Sequence, residues 1–175
     1  MHKFIPNKFY FINSFKKNYI DKLDNNTAII YRNYNNRVNL KEIIKIKDYC
    51  LKKKIKFIIS NNFRLSLRLN LDGAYIPSFN SSFTHLSYKI KTNFLVLGSA
   101  HNIKEIRQKE RQGVDFIFIS SIFKNNKNYL GVNKFRILSS LSKKNVIALG
   151  GINKSNIKRL GLINCYGFSG ISYFQ

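Results

Sequence analysis

Only two cysteines, Cys50 and Cys165, occur in the 175 residues, and neither belongs to a Cys-x-x-Cys pair or a Cys/His cluster at metal-ligand spacing. That excludes a disulfide scaffold and a zinc site and leaves two reduced, partly buried thiols. No apolar run approaches the length that spans a bilayer. The first residues, Met1-His-Lys-Phe-Ile-Pro-Asn-Lys-Phe9, lack the apolar stretch and small-residue cleavage site of a signal peptide. A cytoplasmic protein without a membrane partner is expected. Pro-rich and Gly/Ser-rich linkers are missing, as are internal repeats beyond a shared periodicity. At this length and 44% hydrophobic content the chain can bury one substantial core but not two, so a single domain over residues 1–175 is expected.

Acidic residues are also scarce: eight, against 31 lysines and arginines, leave a formal charge of +23. Such a field attracts nucleic acid, anionic membrane or phosphorylated small molecules without choosing among them. The lysines are scattered among abundant Asn, Ile, Phe and Tyr, a mixture that an AT-rich coding sequence produces without selection. The densest runs, Lys52-Lys53-Lys54 and Lys143-Lys144, each close an expected helix, where cations complement the dipole. With no RNA-binding motif and no basic stripe interleaved with aromatics, nucleic acid ranks last among the partners.

What is present is a steady alternation. Apolar, β-branched and aromatic runs at 9–13, 27–32, 56–61, 73–78, 94–100, 115–120, 145–151 and 167–172 read as eight strands. Segments suited to helix lie between them, at 15–23, 40–54, 63–71, 82–90, 102–112, 133–144 and 155–163. Asn39 with Glu42, and Asn102 with Glu105, have the spacing of capping boxes. Alternation of this kind implies parallel strands with right-handed crossovers, and eight repeats predict an α/β fold of the TIM (β/α)8 barrel type. Two features fit poorly. The 102–112 helix offers only Ile103 and Ile106 as apolar contacts and should fray. The chain also stops at Gln175, which leaves no room for a last outer helix and predicts a homodimer or another partner covering the seam between the last and first strands.

The apolar run from Asn145 ends in Gly150 and Gly151. Without a Cβ these residues can take positive φ and bring backbone N–H groups close to an oxyanion, at the positive end of the helix expected from about Ser155.

The motifs, in order and register, resemble the thiamine-phosphate synthase and TenI superfamily over nearly the whole chain. Ile30-Tyr31-Arg32-Asn33-Tyr34 stands where that family has Gln-Leu-Arg-Glu-Lys. Ile59-Ser60-Asn61-Asn62 and Leu71-Asp72-Gly73-Ala74-Tyr75-Ile76 resemble its Ile-Asn-Asp-Arg and Ala-Asp-Gly-Val-His-Leu. Gly98-Ser99-Ala100-His101-Asn102, Gly113-Val114-Asp115-Phe116, Ser121-Ile122-Phe123, Ile147-Ala148-Leu149-Gly150-Gly151-Ile152 and Gly167-Phe168-Ser169-Gly170-Ile171-Ser172 follow the family blocks.

The resemblance implies thiamine biosynthesis: a transferase that joins a hydroxymethylpyrimidine pyrophosphate to a thiazole phosphate and releases pyrophosphate. By the same resemblance Arg32 clamps the pyrophosphate and Ser99 hydrogen-bonds it. Gly150, Gly151, Ile171 and Ser172 cradle the thiazole phosphate, and Asn125, Asn126 and Lys127 line the pocket. Asn128 stands where the family has its loop lysine. The two aspartates that hold Mg2+ in the family fall at Asn61 and Asn80, neutral amides that bind the ion far more weakly, so Mg2+ is expected mainly with the substrate's pyrophosphate.

The alternative reading is a TenI-like thiazole tautomerase, or a relative that binds phosphate ligands without catalysis. A tautomerase needs an acid/base group, yet the family's histidine falls at Ser121, whose hydroxyl does not titrate near neutrality. His101 reads as a residue orienting the start of a helix, His85 and His2 as solvated, and Asp72 as a turn residue ahead of a strand.

Overall fold

The computed structural model describes residues 5–34 and 38–175. Its eight strands are β1 (Lys8–Ile12), β2 (Thr27–Tyr31), β3 (Lys56–Ser60), β4 (Gly73–Ile76), β5 (Leu95–Ala100), β6 (Phe116–Ser120), β7 (Asn145–Leu149) and β8 (Gly167–Ser169). Each pairs in parallel with its neighbour in sequence, and β8 pairs with β1 through Lys8–Phe168 and Phe9–Ser169, so the sheet closes into a barrel in sequence order. All eight expected strands are present, most of them one to three residues shorter.

Side chains alternate across the strands, and that alternation sorts them into two cores. Inward-facing Phe9, Phe11, Ala28, Ile30, Ile58, Tyr75, Leu95, Leu97, Phe116, Phe118 and Ile147 fill the barrel. The Phe9–Phe118, Phe11–Tyr75 and Tyr75–Phe118 rings meet edge to face at 5.0, 5.3 and 5.4 Å. Aromatics therefore plug the interior, and ligand access is confined to the rims. The intervening residues pack outward under the helices.

The helices are α1 (Lys17–Ile20), α2 (Leu40–Lys52), α3 (Phe63–Arg68), α4 (Ile103–Arg111), α5 (Gly131–Ser140) and α6 (Ile171–Phe174). Asn39, Asn62 and Asn102 cap α2, α3 and α4, each side chain accepting the N–H three residues on at 3.0–3.1 Å. The glutamates of the two expected capping boxes turn elsewhere: Glu42 accepts from the Phe15 N–H and the Tyr31 hydroxyl, and Glu105 from His101. Two expected helices are only 3-10 turns, Thr84–Ser87 and Ile157–Leu162. Asn153 Oδ1 explains the second case, because it takes the N–H groups of Ser155 and Asn156 and holds a turn there. The α-helix expected from about Ser155, with its positive end at Gly150 and Gly151, is therefore replaced by this turn.

Two further expectations are corrected. Helix α4 was expected to fray for want of apolar contacts, and Ile103 is indeed exposed, but Ile106 is fully buried and so are Lys109 and Gln112. These two side chains tie α4 to the β4–β5 connection. The seam between β8 and β1 is covered by the chain itself: β8 ends at Ser169, and α6 folds back so that Phe174 packs on Tyr10 at 5.0 Å and Tyr173 on Phe168 at 4.8 Å. Tyr10 is only 3% exposed as a result. One helical turn thereby covers the face expected to be bare at Tyr10 and Phe168. Removing its anchor in Phe174→Ala should lower stability by about 2 kcal/mol and increase quenching of tyrosine fluorescence by acrylamide, as Tyr10 becomes accessible.

Candidate active site

Along β2, β3, β5 and β6 the inward positions change character at the C-terminal end. Ile30, Ile58, Leu97 and Phe118 lie in the apolar interior. Two residues on, the same face presents Arg32, Ser60, Ser99 and Ser120, so the mouth of the barrel is ringed by a guanidinium and hydroxyls. Strand parity determines this ring.

Arg32 is the exposed member. Its backbone N–H bonds Ile12 O at 2.8 Å, and its guanidinium lies 4.9 Å from the Phe11 ring centroid. No carboxylate pairs with it among the described residues. It lines a cavity of about 230 Å³ together with Ser14, Lys16 and Ile171, so two of the expected site residues meet across the seam. Ser99 is a buried member of the ring. It is 5% exposed and hydrogen-bonds Tyr75, whose hydroxyl burial holds protonated well above the ordinary phenol range. Ser99 thus stands at the mouth with its side chain engaged by Tyr75. Above them the Tyr34 hydroxyl meets Ser60 Oγ at 2.6 Å and its ring packs edge-on to Phe79 at 5.4 Å, covering the mouth between β2 and β4.

On the opposite rim Gly150 and Gly151 follow β7 with φ of +107° and +75°. A Cβ on Gly150 would lie 2.3 Å from Ser121 Oγ, and one on Gly151 would lie 2.5 Å from Lys124 N. Both glycines are needed because the β6–β7 connection packs directly against them. The register Leu149–Ser169 and the close approach of Gly170 to Ile152 O set the start of α6 beside this loop. The N–H groups of Gly151, Ile171 and Ser172 have no protein acceptor among the described residues. They are the free donors of this rim.

Asn125, Asn126, Lys127 and Asn128 form a turn closed by Ser121 N–H to Asn128 O and by Asn128 N–H to Asn126 Oδ1. Lys127 is exposed, whereas Asn126 and Asn128 hold the turn. Ser121 is buried, its hydroxyl donating to Lys124 O. Nothing at that position can shuttle a proton.

The two family metal positions do come together. Asn61, in a left-handed conformation with φ +57°, accepts from Asn80 Nδ2 at 2.7 Å, while Asn80 Oδ1 accepts from the Ser82 N–H. They wall a cavity of about 200 Å³ with Arg64, Tyr75, Thr84 and His85. Mg2+ prefers charged oxygens in a near-ideal octahedron. Here both amide oxygens already accept hydrogen bonds, neither carries charge, and no group of three His, Cys, Asp or Glu gathers among the described residues. The donors do not fit the ion.

Beneath this cavity lies a cluster that sequence reasoning missed. Lys109 Nζ donates to Asn80 O and to Gln112 Oε1, both at 2.8 Å, and Gln112 Nε2 donates to Asn80 O and Ser82 O. His85 is buried, contrary to expectation: it packs on Phe63 at 5.1 Å and its Nε2 meets Gln112 O at 2.7 Å. Gly98 makes room for the lysine stem, since a Cβ there would come 2.9 Å from Lys109 Cδ. Its spacing of three from Ile106 puts Lys109 on the same helix face, and that face is shown to be the inward one only once the burial of Ile106 is known. His101 matches its expected part, with Glu105 accepting from both its N–H and Nδ1 at the start of α4.

Burial pushes the Lys109 ammonium down to about 8 from an ordinary 10.5. The unfolded chain therefore binds more protons than the folded one between these values, and the contribution of Lys109 to stability rises with pH across that window. Below pH 8 the buried charge opposes folding. Comparing denaturation of the parent with Lys109→Met from pH 7 to 10.5 should show the parent gaining about 3 kcal/mol on the variant. A difference that does not change with pH would refute the buried charge.

The fold and this rim together define a closed parallel barrel with a polar, cationic C-terminal mouth. Within that class, the family model described as thiamine monophosphate synthase matches residues 19–174, and the chain belongs to that family. Thiamine-phosphate synthases of Methanococcus vannielii and Fusobacterium nucleatum are 26% and 28% identical to it over 132 and 138 residues. The matches cover 73% and 75% of this chain and 64% and 67% of those proteins, so the chain spans about two thirds of their length. A solved thiamine phosphate pyrophosphorylase from Pyrococcus furiosus superposes with a TM-score of 0.78 at 18% identity, over 97% of this chain and 87% of that one, which shows the shared fold. No helix among the described residues is long and apolar enough to cross a membrane.

Proposed function

We propose that this chain is a thiamine-phosphate synthase-type transferase, joining a hydroxymethylpyrimidine pyrophosphate to a thiazole phosphate in the cytoplasm, with release of pyrophosphate. The observation that carries the reading is the change from apolar to polar at inward positions of the mouth, with Arg32 unpaired among the described residues and the free N–H groups of Gly151, Ile171 and Ser172 following across the seam. Two anions can thus be held on one rim while the plugged barrel keeps both above Tyr75. Displacement of pyrophosphate demands positive charge on the leaving group and a fixed approach of the nucleophile. Arg32 supplies the first, and the glycine rim orients the thiazole by its phosphate.

The tautomerase reading loses ground, because the buried Ser121 hydroxyl offers no titrating group and His101 is engaged at the start of α4. Incubating the protein with both substrates and Mg2+ should yield thiamine phosphate, detected by oxidation to its fluorescent thiochrome. Lack of product, with phosphate-ligand binding intact, would instead favour a non-catalytic relative.

A further inference from the structure

A buried ammonium whose hydrogen-bond acceptors are all neutral, with only the field of Glu105 to offset its burial, is an expensive feature for a protein to retain. Lys109 has only neutral acceptors, the Asn80 carbonyl and the Gln112 amide. The nearest carboxylate on its own helix, Glu105, is committed to the His101 N–H and Nδ1 and to the Asn102 amide. His85, on the β4–β5 connection, faces Gln112 O rather than the ammonium. Everything else about the cluster holds the charge in place: Gly98 clears a path for the stem, and Gln112 fastens the loop by two carbonyls. The charge is delivered to the back of Asn80, whose amide bonds Asn61 at the wall of the 200 Å³ cavity. Those are the two positions whose amides do not suit a divalent cation. On the far wall Arg64 is exposed and has no carboxylate partner among the described residues.

From this arrangement we infer that the Lys109 ammonium takes the place of a protein-held metal ion, so that a diphosphate group binds in the Asn61–Asn80 cavity without a divalent cation. The inference rests on the reading of this rim as the diphosphate end of a transferase site, with Arg32 in electrostatic reach of Tyr75 on the wall of this cavity. The backbone carbonyl dipole of Asn80 is polarised by the ammonium behind it, and Asn61 Nδ2, one hydroxyl of the Ser82–Thr84 pair and the Arg64 guanidinium present the donors in front. Lys109 does not line the cavity, so it is a positioning residue that acts through Asn80 and through its field. At low effective dielectric a fixed charge several ångströms from a dianion is worth about tenfold or more in affinity.

The test is calorimetric titration of the full chain with inorganic pyrophosphate, in EDTA and again in Mg2+, using the parent, Lys109→Met and Lys109→Arg. The expected result is binding by the parent in EDTA, weakened at least tenfold in Lys109→Met and partly restored in Lys109→Arg, with thermal unfolding of the methionine variant at or above the parent's temperature. A purely structural lysine would instead lower the unfolding temperature and leave the affinity of the folded fraction unchanged, which would overturn the inference. Binding by the parent that requires Mg2+ would also overturn it, and needs no variant to fold. In that case the transferase reading would stand, whereas no binding of pyrophosphate under either condition would remove both.

Discussion

Replacing Arg32 by alanine should reduce kcat/KM for thiamine phosphate formation by about 10²–10³-fold while changing stability by less than about 1 kcal/mol. The asymmetry follows from the surroundings of the guanidinium. It is exposed, has no carboxylate partner among the described residues, and its packing contact is the Phe11 ring at 4.9 Å. A cation–π contact of that kind contributes little to folding, so the folded state loses almost nothing when the side chain is removed. A developing pyrophosphate loses its charge-assisted partner at the barrel mouth, where water is partly excluded and such contacts are strongest. Steady-state kinetics beside a thermal melt would check both halves. A variant with normal turnover would move the leaving-group site away from the β2 end of the rim.

Gly151→Val is expected to lose about 3 kcal/mol of stability, lowering Tm by roughly 6–12 °C in a domain of this size, and to lose affinity for phosphate ligands at the same time. From the sequence alone the same substitution would block an anion without disturbing the barrel. The structure changes the reason and hence the outcome. A Cβ at Gly151 points at Lys124 N, 2.5 Å away, and the φ of +75° is one that a β-branched residue resists. The valine would therefore push the β6–β7 connection outward before it reached any ligand. Gly161→Ala is the matched control. No atom lies within 4 Å of a Cβ there and its φ is unexceptional, so that variant should melt at or slightly above the parent's temperature. If Gly151→Val melted like Gly161→Ala, the packing of the two rim loops described above would be wrong.

The metal positions show how far motif and geometry can diverge. Matching residues to a family identifies Asn61 and Asn80 as equivalent sites, and the structure does bring them into hydrogen-bond contact. Residue identity also announces the missing charge. What it does not announce is a charge arriving from Lys109, 29 residues beyond Asn80, because a lysine in a basic helix reads as one more solvated cation until its burial is known. His85 is the same kind of case: a polar stretch of sequence suggested exposure, and Gln112 draws it inside. Ser99 stands at the mouth as expected from the sequence, and only the structure shows that Tyr75 engages its side chain.

By itself the sequence determined the barrel, its eight strands and their order, because the alternation of β-branched runs with helical segments is local and survives without knowledge of neighbours. It also determined the caps of α2 and α4, which depend on residues three apart. Only the tertiary structure decided which face each strand end presents to the mouth, how α6 seals the seam over Tyr10, and where the buried ammonium of α4 delivers its charge. Those outcomes depend on contacts between residues distant in the chain, and a periodic pattern carries no information about which long side chain will cross from one element to the next.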